Sequence, residues 1–397
     1  MKLAIVRQKY TPYGGAERFV QRSLAGLRSQ GVEVTVIARE WAGSYGAPAP
    51  AADVPGGIPN GILKVNPFYL GRTWRDVGFS HHVQRIVAEG RFDLVQSHER
   101  IPGCHIFRAG DGVHATWLEL RNRARGAYAG IARFLTGRSP WHSHVLETEE
   151  AMFRHPSLCA VICNSRMVRN DIARRFGLPD EKLHVIYNGV DLAAFHPGLR
   201  DEHRQRVRAD LGIPKDAAVI LFVGSGFERK GVHTLLRAFA AMADKTAHLV
   251  IVGKDRGQDT AEKLAQTLGI DERAHFLGPR EDVRPYYGAA DLFCLPTIYD
   301  PMPNAALESL ACGLPVVTST TCGAAELIEE GKNGFVCDAL DVAKVSRHMT
   351  AIIAALGDPG LAAGMRKAAR RSVERLDLAS MAQIMTDLYR KLLERQP

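Results

Sequence analysis

Leu292-Phe293-Cys294-Leu295-Pro296-Thr297-Ile298-Tyr299-Asp300-Pro301-Met302-Pro303-Asn304-Ala305-Ala306-Leu307-Glu308-Ser309-Leu310-Ala311-Cys312-Gly313-Leu314-Pro315 is the stretch from which the fold is read. Its first four residues are apolar and predict a buried strand. A proline-rich loop follows, then a helix that Gly313 and Pro315 stop. Another strand is expected at once, over Pro315–Thr318. Asp300 falls on the loop and Glu308 one to two turns into the helix. Between them lies a helix N-terminus, whose first N–H groups lack partners within the helix and make a natural seat for phosphate.

The same alternation runs from end to end, as in parallel α/β sheets. In the first half, strands are expected at Leu3–Val6, Glu33–Ile37, Asp93–Gln96, Cys104–Phe107, Leu158–Ile162 and Leu183–Tyr187. Helices are expected at Ala16–Arg28, Trp74–Glu89 and Ser165–Phe176, and residues 42–60 read as a loop. Turn chemistry at Asn188-Gly189-Val190-Asp191 and Phe195-His196-Pro197-Gly198 marks a domain boundary after residue 188. Strands resume at Val219–Val223, Leu249–Val252, His275–Leu277 and Asp291–Leu295. Residues 340–397 read as nearly continuous helix, with a turn at Leu356–Gly360.

A chain of 397 residues is too long for one ordinary core, so two α/β domains are expected. Seven cysteines form no Cys-x-x-Cys pair and read as reduced thiols of a cytoplasmic protein. No apolar run approaches the ~18 residues of a membrane span. The N-terminal Met1-Lys2-Leu3-Ala4-Ile5-Val6-Arg7 reads as a strand, not a signal peptide. Charge is uneven. Residues 1–190 hold 25 Lys+Arg against 16 Asp+Glu, while the rest holds 26 against 27. The excess predicts an anionic partner for the first half.

Four places carry candidate chemistry. The first loop contains Gly14-Gly15 where a strand hands over to a helix. It serves either as a tight turn or as a close approach to phosphate. Gly224-Ser225-Gly226-Phe227-Glu228-Arg229-Lys230-Gly231-Val232 sets two cations at a second such junction, on the sheet edge where ligands bind. They are suited to a diphosphate leaving group. Val232 stands where a Walker A loop needs Lys, and the third Gly of a dinucleotide fingerprint is missing. Asp300 and Glu308 form the third place, one acid for a sugar and one for a ribose. A Glu near a buried face needs a polar partner. His98 and Asp111 follow first-domain strands and are candidates for sugar or acceptor contact. With His114 they fit no zinc spacing, and no Asp-x-Asp occurs to hold a metal-bound diphosphate.

Residues 114–142 interleave Trp117, Leu118, Leu120, Tyr128, Ile131, Phe134, Leu135 and Trp141 with Arg121, Arg123, Arg125, Arg133 and Arg138. Two readings stand: an interfacial membrane contact, or an amphipathic helix packed on the first sheet.

Taken in order, Gly14-Gly15, Asn188-Gly189-Val190-Asp191, Arg229-Lys230-Gly231 and the Asp300-x7-Glu308 pair resemble the family 4 retaining glycosyltransferases over essentially the whole chain. Tyr10-Thr11-Pro12-Tyr13, Pro102-Gly103 to Asp111 and Gly224 to Val232 point to the members that build the lipopolysaccharide inner core. The resemblance implies the GT-B architecture: two Rossmann-like parallel-sheet domains facing across a cleft, with a last helix crossing back. That gives an acceptor domain over 1–188, a nucleotide-sugar domain over 189–375 and a returning helix over 376–397.

It implies metal-independent transfer of a hexose, glucose from UDP-glucose, to a phosphorylated glycolipid acceptor of the lipopolysaccharide core. It also implies a place on the inner face of the cytoplasmic membrane, reached through residues 114–142, and no nucleic-acid partner. Lys230, Asp300, Asp111 and His98 would line the reacting centre. Gly14, Gly15, Arg229, Lys230, Asn304, Ala305 and Ala306 would hold the diphosphate, Glu308 the ribose and Arg280 the base. The family usually has Glu as the first acid, and this chain has Asp300, one methylene shorter. The alternatives are a GDP-sugar, UDP-N-acetylhexosamine or nucleotide-heptose donor, another glycolipid acceptor, or a non-catalytic nucleotide-sugar-binding scaffold. A nicotinamide-dependent oxidoreductase is disfavoured by the missing fingerprint.

Overall fold

A computed structural model of the chain describes residues 1–10, 24, 26–41, 61–126 and 139–395. The chain forms two compact units, Met1–Tyr187 with Leu378–Pro397, and Asn188–Asp377. Each is built on a parallel sheet, so the fold is α/β with two Rossmann-like domains.

The strands of the first unit are β1 (Lys2–Val6), β2 (Lys9–Tyr10), β3 (Glu33–Ala38), β4 (Glu40–Trp41), β5 (Ile62–Lys64), β6 (Leu94–Ser97), β7 (Ile106–Arg108), β8 (Ala160–Cys163) and β9 (Leu183–Val185). Seven of them form one sheet in the order β5-β3-β1-β6-β7-β8-β9. Side chains alternate across a strand, and here both faces are covered. Leu3 and Ile5 enter one core with Leu24, Val34 and Tyr389, while Ala4 and Val6 enter the other with Phe79, Val83 and Ile86. Double burial is why these strands read as unbroken apolar runs. The short edge strand β5 is partly exposed and went unseen for the opposite reason.

The helix Leu378–Glu394 belongs to this first unit. Met385, Tyr389 and Leu392 lie in the core with Leu3 and Ile5. Tyr389 Oη donates to Gln96 Oε1 at 2.7 Å, which satisfies two buried polar groups. Gly26 permits the close approach, because a Cβ there would stand 2.7 Å from the Ala382 Cβ.

The strands of the second unit are β10 (Val219–Val223), β11 (His248–Val252), β12 (Ala274–Gly278), β13 (Leu292–Leu295), β14 (Val316–Ser319) and β15 (Gly334–Cys337), in the order β12-β11-β10-β13-β14-β15. β15 was not among the expected strands; its middle residues are only half-buried. The C-terminal region is three helices, Val342–Leu356, Pro359–Arg371 and Leu378–Glu394. The expected turn near 356–360 is present, but a second break at 372–377 interrupts the expected continuity. There Val190 N–H donates to Leu376 O at 2.7 Å, and Val190 bridges Asp377 in parallel. The segment that enters the second unit thus pairs with the one that leaves it.

Candidate functional site

In the second sheet the chain passes from β10 outward through β11 to β12, then restarts at β13 on the other side of β10. The carboxyl ends of β10 and β13 therefore flank a topological switch point, where an open α/β sheet holds its ligands. After β10, Gly224-Ser225-Gly226 lead into a one-turn helix, Phe227–Lys230, which ends on Gly231 at φ +76° before the helix Val232–Ala240. Arg229 and Lys230 so close a helical turn, where cations suit the helix dipole, rather than open the longer helix. Glycine is required twice. A Cβ on Gly231 would lie 1.9 Å from Pro296 O, and one on Gly224 would lie 2.7 Å from the Lys230 Cδ. Gly224 is the gap through which the lysine chain passes.

The two cations meet Asp300. Lys230 Nζ lies 3.2 Å and Arg229 Nη1 3.1 Å from Asp300 Oδ2. Asp300 is buried, at 6% exposure, with Lys230 largely buried and Arg229 about one-third exposed. Burial pushes the Asp300 carboxyl up, but the Lys230 and Arg229 charges and hydrogen bonds outweigh it and hold it below the usual range. Arg229 is further fixed by donating to Tyr299 O at 3.0 Å, while its own carbonyl accepts from Ile298 N–H and Thr297 Oγ1. The Asp300 backbone is held by Thr321 O and Gly323 N–H.

The helix Asn304–Ala311 begins after Pro303, with no side chain capping it. Asn304 and Ala305 are half-buried and Ala306 is buried in its first turn. Asn188, from the entry segment, donates to Met302 O at 3.1 Å and Asn304 Oδ1 at 2.8 Å, which ties this loop to the start of the unit. Glu308, at 8% exposure, has a protein partner: Tyr287 Oη lies 3.0 Å from its Oε2 and 3.1 Å from Ala305 O. The polar partner required of a buried Glu is thus supplied by the chain itself. Tyr287 escaped the sequence reading because a tyrosine in an apolar helix reads as core. Asp255 escaped it too. Its carboxylate accepts from Gly226 N–H at 3.0 Å and Gly257 N–H at 2.8 Å, clamping the loops after β10 and β11 together. Arg280 stands exposed two residues beyond β12.

The first unit has its own switch point, between β1 and β6. Arg7 follows β1, and His98 and Glu99 follow β6. Arg7 lies 3.8 Å from Glu99 and 3.9 Å from the exposed Asp111. His98 shares a 3.1 Å contact with Gln96 Nε2. Burial first, then the charges of Arg108 and Arg7, drive His98 well below the usual histidine range, so its ring is neutral near pH 7. Arg7, absent from the expected set, thus faces Glu99 and Asp111 and adds to the charge that lowers His98.

His114 does not join them. Its Nε2 lies 3.0 Å from His142 Nδ1, and its N–H donates to Glu149, a 1%-exposed carboxylate that also accepts from Arg100 Nε at 2.7 Å. Burial is the main cause that lowers His114 to about 3. Among the described residues no three His, Cys, Asp or Glu side chains are placed to hold a metal ion.

Gly14 and Gly15 lie outside the described residues, as do residues 127–138 of the 114–142 segment and the expected loop 42–60. Within that segment Arg121 is not among the surface arginines that the membrane reading expects. It is buried at 9% exposure and stacks over Trp117 at 5.8 Å, so it is unavailable to a surface, whereas Arg123 is exposed. Glu119 is engaged by Arg175. Exposed apolar groups gather instead at Phe68, Leu70, Trp74 and Val77, around a Phe68–Trp74 ring pair at 5.9 Å. Among the described residues no helix is long and apolar enough to cross a membrane.

Residues 13–194 match the family described as Glycosyltransferase Family 4, and residues 203–372 match Glycosyl transferases group 1. The lipopolysaccharide glucosyltransferase WaaG of Escherichia coli is 26% identical over 85% of this chain and 85% of its own. A D-inositol 3-phosphate glycosyltransferase of Xylanimonas cellulosilytica is 27% identical over 97% of this chain and 93% of its own. A crystal structure of WaaG superimposes with a TM-score of 0.77 at 23% identity, covering 98% of this chain and 99% of that one. One of Anabaena HepE with UDP-glucose gives 0.72 at 20%, covering 98% and 100%.

Proposed function

Because this chain is a family 4 glycosyltransferase of the GT-B fold, we propose that it moves a hexose, glucose from UDP-glucose, onto a phosphorylated glycolipid of the lipopolysaccharide core, with retention of configuration. The observation that carries the reading is the Lys230–Arg229 pair on buried Asp300, beside the uncapped start of the helix Asn304–Ala311. Two cations and a helix N-terminus at a switch point suit a departing nucleoside diphosphate. Glu308, oriented by Tyr287, is assigned to the ribose, and Arg280, beyond β12, to the base. Charge neutralisation falls to Lys230 and Arg229 without a metal ion, so EDTA is expected to leave the rate unchanged. In a front-face transfer the leaving diphosphate takes the acceptor's proton.

The test is a thermal-shift series with UDP-glucose, UDP-N-acetylglucosamine, a GDP-hexose and a nucleotide-heptose, followed by product analysis with a lipopolysaccharide-core acceptor. A ligand raises the melting temperature according to its concentration relative to Kd. Stabilisation by UDP-glucose, with an α-linked product from the α-configured donor, supports the reading. No stabilisation by any nucleotide sugar refutes it.

A second acceptor is favoured by one observation, the nearly full-length likeness to a D-inositol 3-phosphate glycosyltransferase. Both readings place a phosphorylated acceptor near Arg7, Asp111 and His98, and side-by-side turnover of the two acceptors decides between them. Peripheral attachment to an anionic membrane is supported by the positive first half and by exposed Phe68, Leu70 and Trp74 beside Arg72. Co-sedimentation with phosphatidylglycerol vesicles that is unchanged in Trp74→Ser and Arg123→Ser would remove that part.

A further inference from the structure

Asp291 immediately precedes β13, at the opposite end of that strand from Asp300. A four-residue strand separates the two ends by ~13 Å, so what gathers at Asp291 stands apart from the donor site. What gathers there is arginine. Arg200, Arg204 and Arg208 recur every four residues along one face of the helix Leu199–Asp210, and Arg366 comes from the helix Pro359–Arg371. Arg208 is the structural member. It is 3% exposed, donates to Asp291 Oδ2 at 2.6 Å and donates as well to Ala217 O, Lys215 O and Ala289 O. Val219 N–H takes the same carboxylate oxygen at 3.0 Å.

The other three guanidinium groups converge on the second oxygen, Oδ1. Arg204 lies at 2.9 Å, Arg200 at 3.3 Å and Arg366 at 3.9 Å. A carboxylate oxygen has two lone pairs, so the third arginine is held beyond hydrogen-bond reach. Arg366 Nε is buried without an acceptor. The nearby acids do not correct the imbalance. Glu202 turns toward His196 and His203, at 3.9 and 3.7 Å, and Asp216 acts on Arg208, the member already satisfied. Two carboxylates thus face four cations. Burial, then the neighbouring Arg204, lowers Arg200 to about 10. Arg200, Arg204 and Arg366 are each between one-fifth and one-third exposed, so a small solute reaches them.

We infer that Arg200, Arg204 and Arg366 form a second oxyanion site at the amino edge of the second sheet, for a phosphate or phosphate-ester group. Guanidinium groups bind such groups with paired N–H donors, and a phosphate supplies the charge and acceptors that Asp291 lacks. The inference does not rest on the donor assignment.

The experiment uses the full chain at low ionic strength, with inorganic phosphate as the probe and sodium chloride of matched ionic strength as the control. Phosphate is expected to raise the melting temperature of the wild type and of Lys230→Ala alike. Arg366→Gln is expected to lose at least half of that rise. In phosphate-free buffer the same variant is expected to melt at or above the wild type, because one surplus cation has been removed. Arg200→Gln repeats the measurement should Arg366→Gln fail to fold. A response lost in Lys230→Ala and kept in both arginine variants would assign the anion to the donor site and overturn the inference. Arg366→Gln and Arg200→Gln both melting lower than the wild type without phosphate, or a wild type that does not respond to it, overturn it as well. AMP and phosphatidic acid vesicles, tested next, separate a soluble phosphate ester from a lipid headgroup.

Discussion

Replacing Lys230 by alanine separates what its ammonium does for the fold from what it does for the reaction. In the free protein its Nζ sits 3.2 Å from Asp300, in a largely buried place. Stripping a buried charge of its partner costs ~3–5 kcal/mol. Here Arg229 remains 3.1 Å from the same oxygen, so the loss is nearer that of one charged hydrogen bond, ~1.5–3 kcal/mol. The effect on transfer is larger, because removing one preorganised donor to a developing anion costs ~10²–10³ in rate. Steady-state kinetics with saturating acceptor and thermal unfolding are to be measured on the same preparation. A kcat within a few-fold of wild type, from a folded variant, would refute the role given to Lys230. The pH profile adds a second check. Asp300 is held below the ordinary Asp value of ~3.9, so its contribution to stability is complete above that value and is lost as pH falls through its lowered native pKa. In Lys230→Ala this lowering shrinks, so the acid-side loss is smaller and is complete at a higher pH.

Three further variants probe the supporting structure. Tyr287→Phe removes the hydroxyl shared by Glu308 and Ala305 O, and is expected to cost ~1–3 kcal/mol and to raise the donor KM more than it lowers kcat; an unchanged KM would show that Glu308 does not need it. Gly231→Ala forces a Cβ onto Pro296 O from a left-handed backbone, so it should destabilise the second unit far beyond the ~1–2 kcal/mol of that conformation alone, as read by circular dichroism during urea unfolding. Glu149→Gln takes the charge from a buried acceptor of Arg100 and His114 N–H and is expected to cost ~3–5 kcal/mol, whereas an exposed pair such as Arg154–Glu150 should give under ~1 when broken.

The legible parts were those in which one residue's type dictates its surroundings. β13 announced itself because burial on both faces demands four apolar residues in a row, and Pro303, Gly313 and Pro315 bounded the following helix. β5 went unread because a short, half-exposed edge strand makes no such demand. The break at 372–377 contains neither Gly nor Pro. It is enforced from outside, by the pairing of Val190 with Leu376 and Asp377, and a contact across about 186 residues leaves no local trace. Among the site residues, Arg229 and Lys230 were visible from their position after a strand. Their partner was visible only as a separate acid, since sequence does not show that Asp300 Oδ2 lies within 3.2 Å of both. Arg7, Tyr287 and Asp255 were missed because each belongs by type to a surface, a core or a turn, and acts through a neighbour distant in sequence. Arg121 erred the other way: an arginine among aromatic residues suits an interface, but here it is buried beside the Trp117 ring.

The two acids that bracket β13 show how the same chemistry is set to different ends. Asp300 faces two cations, and Asp291 faces four. A carboxylate shared by two cations leaves one positive charge over, yet it reaches both of them directly, so the pair is held in place without a ligand and is ready for one. An incoming diphosphate takes over contacts already arranged, which keeps the reorganisation cost small. If Asp300 acts in this way, replacing it with Asn should weaken Arg229 and Lys230 as a fixed pair while leaving their charge in place. UDP would then bind at least as tightly as in wild type while transfer falls by ~10²-fold or more, because tight ground-state binding alone does not accelerate the chemical step. Isothermal titration with UDP beside transfer kinetics tests this directly. Parallel losses in affinity and rate would mean that Asp300 serves the pair only as scaffold.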